Sequence, residues 1–168
     1  MLALQLLLSL ASTAAAAAAA PGRATALHVH AMTGDVPALL RSLEGTAVDA
    51  TDEGGATALH AAAMAGHGAA VAALLKRGAR PNMRDMRGFA PLHWAALKGH
   101  EEAAFQLLDG DAQLDPADAD GFTPLQYALA RKHAKVASLL RQAAEFDQGE
   151  AKAEVAGGGG GGRRKDEL

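Results

Sequence analysis

The sequence predicts an all-α solenoid of four helix–turn–helix repeats joined by short hairpin loops. Three observations carry that prediction. The stretch Asp85–His100, DMRGFAPLHWAALKGH, recurs as Asp52–His67, DEGGATALHAAAMAGH, and as Asp118–His133, DADGFTPLQYALARKH, with a damaged copy, TALHVHAMTGD, at Thr25–Asp35. The anchor positions Thr25, Thr57, Ala90 and Thr123 lie 32, 33 and 33 residues apart, and a near-constant period in this range marks stacked repeats. Within each copy a helix start, a short apolar face and a break follow in fixed order. Thr57, or Thr123 before Pro124, suits a helix N-cap with proline tolerated at the first helical position. Gly34, Gly66 and Gly99 end the first helix in the left-handed conformation that glycine adopts at little cost.

The elements follow in order. The first repeat, residues 23–51, carries His30 where a small residue is usual and a second-helix face of Leu39, Leu40 and Leu43. It reads as an N-terminal cap, since terminal repeats are atypical where one face meets solvent. The second, residues 52–84, is the most regular and richest in alanine, and its second helix buries Val71, Leu74 and Leu75. The third, residues 85–117, has Ala90 in place of the capping threonine, and Gly110 arrives one position early with Asp111 in the glycine slot. The fourth, residues 118–146, has Gln126 where the others carry histidine and Lys132 where they carry glycine, so this end should fray first. No helix can bury its face alone, and stacking makes one continuous core. From Asp147 to Leu168 apolar periodicity stops, and this tail with its polyglycine run is expected to be disordered.

On these motifs the chain resembles the ankyrin repeat family over about Arg23–Phe146. The resemblance implies a stack with projecting loops and a function of binding other proteins, with no catalytic chemistry. It also implies structural work for six of the seven histidines. His28, His60 and His93 stand at one repeat position, hydrogen-bonding turn and inter-repeat backbone, and His67, His100 and His133 at another, at the break between helices. Only His30 is off-pattern.

The two ends point to a compartment. Residues 1–20 begin MLALQLLLSL and continue into an alanine run with no charge before Arg23, the pattern of a secretory signal peptide, although the usual basic n-region is missing. A frayed alanine-rich helix and an uncleaved membrane anchor are the other readings of this run. The sequence ends Lys165-Asp166-Glu167-Leu168, the tetrapeptide read by the KDEL receptor for retention in the endoplasmic reticulum. The expectation is a monomeric protein of the lumen, with a membrane attachment only if the N-terminal segment stays uncleaved.

Composition narrows the chemistry. The formal net charge of −3 argues against nucleic acid as a partner, which needs a basic face. The chain has no cysteine, which removes disulfides, thiol catalysis and thiolate zinc sites. Phosphate-binding loops, nucleophile elbows and HExxH are missing from the sequence. No enzyme activity, cofactor or metal is expected. The acidic run Asp109, Asp111, Asp115, Asp118 and Asp120 lacks the spacing of a calcium loop and reads as a solvated loop.

The expected function is a protein-binding scaffold or adaptor. The alternatives are a non-catalytic accessory subunit of a luminal enzyme or folding factor, or a membrane-anchored luminal adaptor. In an ankyrin stack the first helices and loops line a concave side. Counting from the anchors places Met86, Arg87, Phe89, Trp94, Leu97 and Lys98 there from the third repeat, and Asp120, Phe122, Tyr127 and Arg131 from the fourth. Trp94 and Tyr127, the only Trp and Tyr, are either groove filling or a binding hot spot. The equivalent second-repeat residues, Glu53, Gly54, Ala56, Ala61, Met64 and Ala65, are mostly small.

Overall fold

A computed structural model describes residues 25–157; the signal-like segment and the Lys165–Leu168 tetrapeptide lie outside them. Eight helices in four antiparallel pairs make up these residues: α1 Ala26–Thr33, α2 Val36–Ser42, α3 Ala58–Ala65, α4 Gly68–Lys76, α5 Pro91–Lys98, α6 Glu101–Asp109, α7 Pro124–Ala130 and α8 Ala134–Gly157. The first helices α1, α3, α5 and α7 stack on one another in one layer, and the second helices α2, α4, α6 and α8 form the layer behind it. The core runs between the layers and is built from Leu27, Leu39, Leu59, Leu74, Leu92, Leu107 and Leu140 with alanines between them. Small side chains at Ala62, Ala63, Ala95 and Ala96 are fully buried, which lets neighbouring first helices approach closely.

Two series of histidine hydrogen bonds join the repeats. In the first, Nδ1 of His28, His60 and His93 faces the backbone N–H of Thr25, Thr57 and Ala90 at 3.3, 3.0 and 3.0 Å. A backbone N–H can only donate, so Nδ1 is the acceptor and Nε2 carries the hydrogen. Nε2–H then donates forward to the carbonyls of Ala56, Phe89 and Phe122 in the next repeat, at 3.0, 3.0 and 3.2 Å. Each imidazole therefore caps its own helix and reaches into the next unit. In the third repeat this bond serves the helix start even though Ala90 has no hydroxyl. The fourth has no described repeat to reach, and Gln126 keeps the capping half alone, its Oε1 accepting from Thr123 N–H at 2.8 Å. Gln126 thus preserves the cap of the fourth repeat.

The second series runs backward. His67, His100 and His133 donate from Nε2 to the carbonyls of Met32, Met64 and Leu97, at 3.1, 3.1 and 3.2 Å. Their rings lie over Gly34, Gly66 and Gly99, where an added Cβ would stand 2.6, 2.5 and 2.5 Å from Nδ1. Glycine is required there twice over, by the closeness of the ring and by φ of 74, 83 and 80°. Lys132 takes the same backbone conformation at φ 62°, but no histidine from a described repeat overhangs it. Asp111 is the other non-glycine with positive φ, at 61°, in the slot where the repeat pattern places it.

The last helix departs from expectation. Its backbone is helical to Gly157, eleven residues past Phe146, whereas the sequence pattern predicts a disordered tail from Asp147. Alanine, glutamate and lysine dominate residues 150–154, and their high intrinsic helix propensity extends a helix without needing an apolar stripe. The polyglycine beyond residue 157 lies outside the described residues.

Two substitutions test this packing by chemical denaturation. Lys132→Gly should stabilise the domain by roughly 1 kcal/mol, because it relieves a left-handed lysine with no ring above it. Leu74→Ala, at a side chain with 0 % exposure, should cost about 2–5 kcal/mol through lost burial and a cavity. A neutral Leu74→Ala would mean the two layers are not packed as described.

Candidate functional site

The hairpin loops are built on three aspartates. Oδ1 of Asp52 accepts from the N–H groups of Gly54 and Ala56, Asp85 from Arg87 and Phe89, and Asp118 from Asp120 and Phe122, all at 2.8–3.0 Å. This tight side-chain-to-backbone turn holds each loop beside the first helix of its repeat. Successive loops also touch, Met86 N–H donating to Gly54 O at 2.9 Å and Ala119 N–H to Arg87 O at 3.3 Å. Arg84 donates to the Ala117 and Gly88 carbonyls, so it braces two loops.

In Asp85 and Asp118 the second carboxylate oxygen meets an aromatic side chain. Trp94 Nε1–H donates to Asp85 Oδ2 at 3.0 Å, and the Tyr127 hydroxyl to Asp118 Oδ2 at 2.6 Å. Between them lies Phe89, its ring centroid 5.2 Å from each of Trp94, Tyr127 and His93. The Arg87 guanidinium sits 5.7 Å over the Trp94 ring, a cation–π contact. Trp94 and Tyr127 are half-buried, so each shows one surface to solvent and anchors the other to its loop.

A groove of about 470 Å³ opens on the concave side of the first three repeats. Val29 and Met32 of α1, Ala61 and Met64 of α3, and Met86, Arg87 and Trp94 of the third repeat form its walls, with Asp52, Gly54 and Ala56 at the loop end and His28 and His60 lining it. Its size is that of a pocket for one or two large side chains. Val29, Met32 and Met86 are 45, 48 and 79 % exposed, an unusual concentration of open apolar side chains on one face. Methionine in such a place adapts to varied partner shapes.

The structure sorts the residues expected on this face. Met86, Arg87 and Trp94 line the groove. Phe122 is half-exposed and stands edge-on to Tyr127 at 6.0 Å, extending the aromatic surface to the fourth repeat. Lys98, Asp120 and Arg131 are exposed and Leu97 half-buried, but none lines the groove. Phe89 is corrected: at 7 % exposure it is the shared floor beneath Trp94 and Tyr127 and offers no binding surface. Asp118 is likewise corrected. It is 7 % exposed and does not belong to a solvated acidic loop, because backbone N–H groups and a phenol hold it inside. Met64 stands at the expected second-repeat position equivalent to Leu97, and Val29 and Met32 of the first repeat join the face without having been counted there. Sequence reasoning weights aromatics and passes over them, although the run of small residues at Gly54, Ala56 and Ala61 is the signal for a hollow.

A family model for ankyrin repeats, found in three copies, matches residues 2–85 and 81–150. The chain belongs to the ankyrin repeat family. Ankyrin repeats are protein-interaction modules, and the groove lies on the concave side of the stack. No curated protein matches the chain. Among the described residues of this ankyrin protein no group of His, Cys, Asp or Glu could hold a metal ion, and no helix is long and apolar enough to cross a membrane.

Burial sets the charge state of His60 and His93. Desolvation lowers the pKa of His60 and of His93 below 6.5, against the raising effect of their bonds to the Phe89 and Phe122 carbonyls. Burial raises the Asp118 carboxyl, but donation from Tyr127 and from the Phe122 and Asp120 N–H groups outweighs it and holds the group below its ordinary value. Burial and the Asp118 carboxylate push the Tyr127 phenol up to about 12.

A pH dependence follows. Well above pH 6.5 both histidines are neutral whether the chain is folded or not, and the inter-repeat bonds are intact. Below it the unfolded chain takes up protons that the folded histidines refuse, so stability falls with pH until the folded-state values are passed. Thermal melts should therefore drop on acidification from pH 7.5 to 5. The double variant His60→Gln, His93→Gln, which copies the residue the fourth repeat carries at Gln126, should show a smaller drop. An equal drop would place the acid sensitivity elsewhere.

Proposed function

We propose that this ankyrin repeat protein is a non-catalytic protein-binding scaffold of the endoplasmic reticulum lumen, taking its partner in the concave groove. The observation that carries the binding half is the groove itself, with exposed Val29 and Met32, half-buried Met64 and exposed Met86. Open apolar surface rimmed by polar groups costs solubility and marks interaction sites. Arg87, held over Trp94, adds a positive charge at the rim that favours an acidic group on the partner. The luminal half rests on the sequence, in the apolar and alanine-rich residues 1–20 and the tetrapeptide Lys165–Leu168. The KDEL receptor is the second partner this reading requires.

Two experiments test the two halves separately. Deleting Lys165–Leu168 should send the protein into the medium of cells that otherwise keep it. Full-length protein that is cytosolic by protease protection would contradict the luminal reading, and lumen-facing protein that stays membrane-bound would identify an uncleaved anchor. For binding, Met64→Asp should weaken a partner captured from luminal extract by about 2 kcal/mol or more if the groove is the hot spot. Its melting temperature should change little, because Met64 is only half-buried. Capture unaffected by Met64→Asp would move the partner off the concave face.

A further inference from the structure

The groove has a specific shape, and the chain itself shows what fits it. In the third and fourth repeats the residue nine positions after the loop aspartate is aromatic, and it donates to that aspartate's Oδ2: Trp94 to Asp85 at 3.0 Å, Tyr127 to Asp118 at 2.6 Å. In the second repeat the loop aspartate is Asp52 and the ninth residue is Ala61. The loop is otherwise the same, with Asp52 Oδ1 accepting from Gly54 and Ala56 N–H at 2.9 Å. Both described side-chain hydrogen bonds of Asp52 fall on Oδ1, and Asp52 lines the groove beside Ala61. The ring position is also open from the side. Ala56 stands where the next two repeats carry Phe89 and Phe122.

We infer that the groove is a receptor for a tryptophan or tyrosine side chain presented by a partner protein. The ring lies over Ala61, where Trp94 and Tyr127 lie in the following repeats, and its N–H or O–H donates to Asp52 Oδ2. The carboxylate supplies charge complementarity to a donor, and hydrogen bonds to charged groups are stronger than neutral ones. Met32 and Met64 line the same hollow and supply sulfur–aromatic contacts. The chain cannot fill the site from within. Its only Trp and Tyr are Trp94 and Tyr127, and both donate to their own loops. Neither residues 1–24 nor a second copy therefore has a free ring of this kind, which leaves another protein as the source. This inference rests on the protein-binding reading above and names the side chain that reading leaves open.

The test is selection of a random linear peptide library against the full chain, followed by affinity measurements on the enriched peptides. Enriched peptides should share a Trp or Tyr. Exchanging that residue for Phe in the peptide should weaken binding about tenfold, the worth of one hydrogen bond to a carboxylate. Ala61→Trp in the protein, which fills the hollow from within, should abolish binding. The peptide exchange needs no change in the protein, so it decides the matter even if Ala61→Trp folds poorly. Peptides that bind as well with Phe, or that still bind a folded Ala61→Trp protein, would overturn the aromatic receptor and leave protein binding intact. Failure to enrich any peptide would count against both readings.

Discussion

The constraint on which the structure depends is the neutral imidazole held between two repeats. A buried histidine that accepts at Nδ1 and donates at Nε2 satisfies two backbone groups at once, one in its own helix start and one in the next loop. Buried polar groups lose stability with each partner removed, and losing His60 would leave the Phe89 carbonyl with the Asp85 N–H as its one remaining donor. The bond therefore fixes the distance between repeats as well as closing it. The reverse series, from His100 to Met64 and over Gly66, fixes the other end of the same first helices. Short helices such as α3 and α5, of eight residues each, are too short to be stable alone in water, so these cross-bonds and the apolar core define them.

That rigidity gives the concave side its character. Because the first helices are pinned at both ends, leaving out a large side chain at one repeat does not let the stack close over the space. At Ala61 the loop aspartate keeps the turn it makes in the third repeat, Asp52 Oδ1 accepting from the Gly54 and Ala56 N–H groups as Asp85 Oδ1 does from Arg87 and Phe89. The result is an open groove lined by methionines. The aromatic cluster on Phe89 closes the same face one repeat later. One face thus holds a filled and an unfilled version of the same site.

Much of this is legible in the sequence, and the residues show why. The period of the anchors, the glycine breaks and the paired histidine positions are local and repeated, so each copy checks the others. The left-handed Lys132 is readable because three copies define the slot it violates, and Asp111 because Gly78 defines its own. What the sequence does not disclose depends on contacts between copies. Phe89 stands one residue from an exposed loop tip, yet Trp94 and Tyr127 close over it from two repeats. The worth of Gln126 is hidden because a capping acceptor and an inter-repeat donor share one histidine, and only geometry separates the two roles. The groove escapes notice because it is made by Gly54, Ala56 and Ala61, which contribute space and carry no distinctive chemistry.

His60 and His93 are held neutral, protonated at Nε2 alone and bonded across repeats. Long-range proton–nitrogen NMR of the ¹⁵N-labelled chain reads this directly, since the shifts of Nδ1 and Nε2 distinguish the two tautomers and the cation. At pH 7.5 an unprotonated Nδ1 and a protonated Nε2 are expected for both residues, with protonation setting in only below the ordinary histidine value. Averaged nitrogen shifts, the Nδ1–H tautomer, or titration of these two rings at the ordinary histidine value would contradict it.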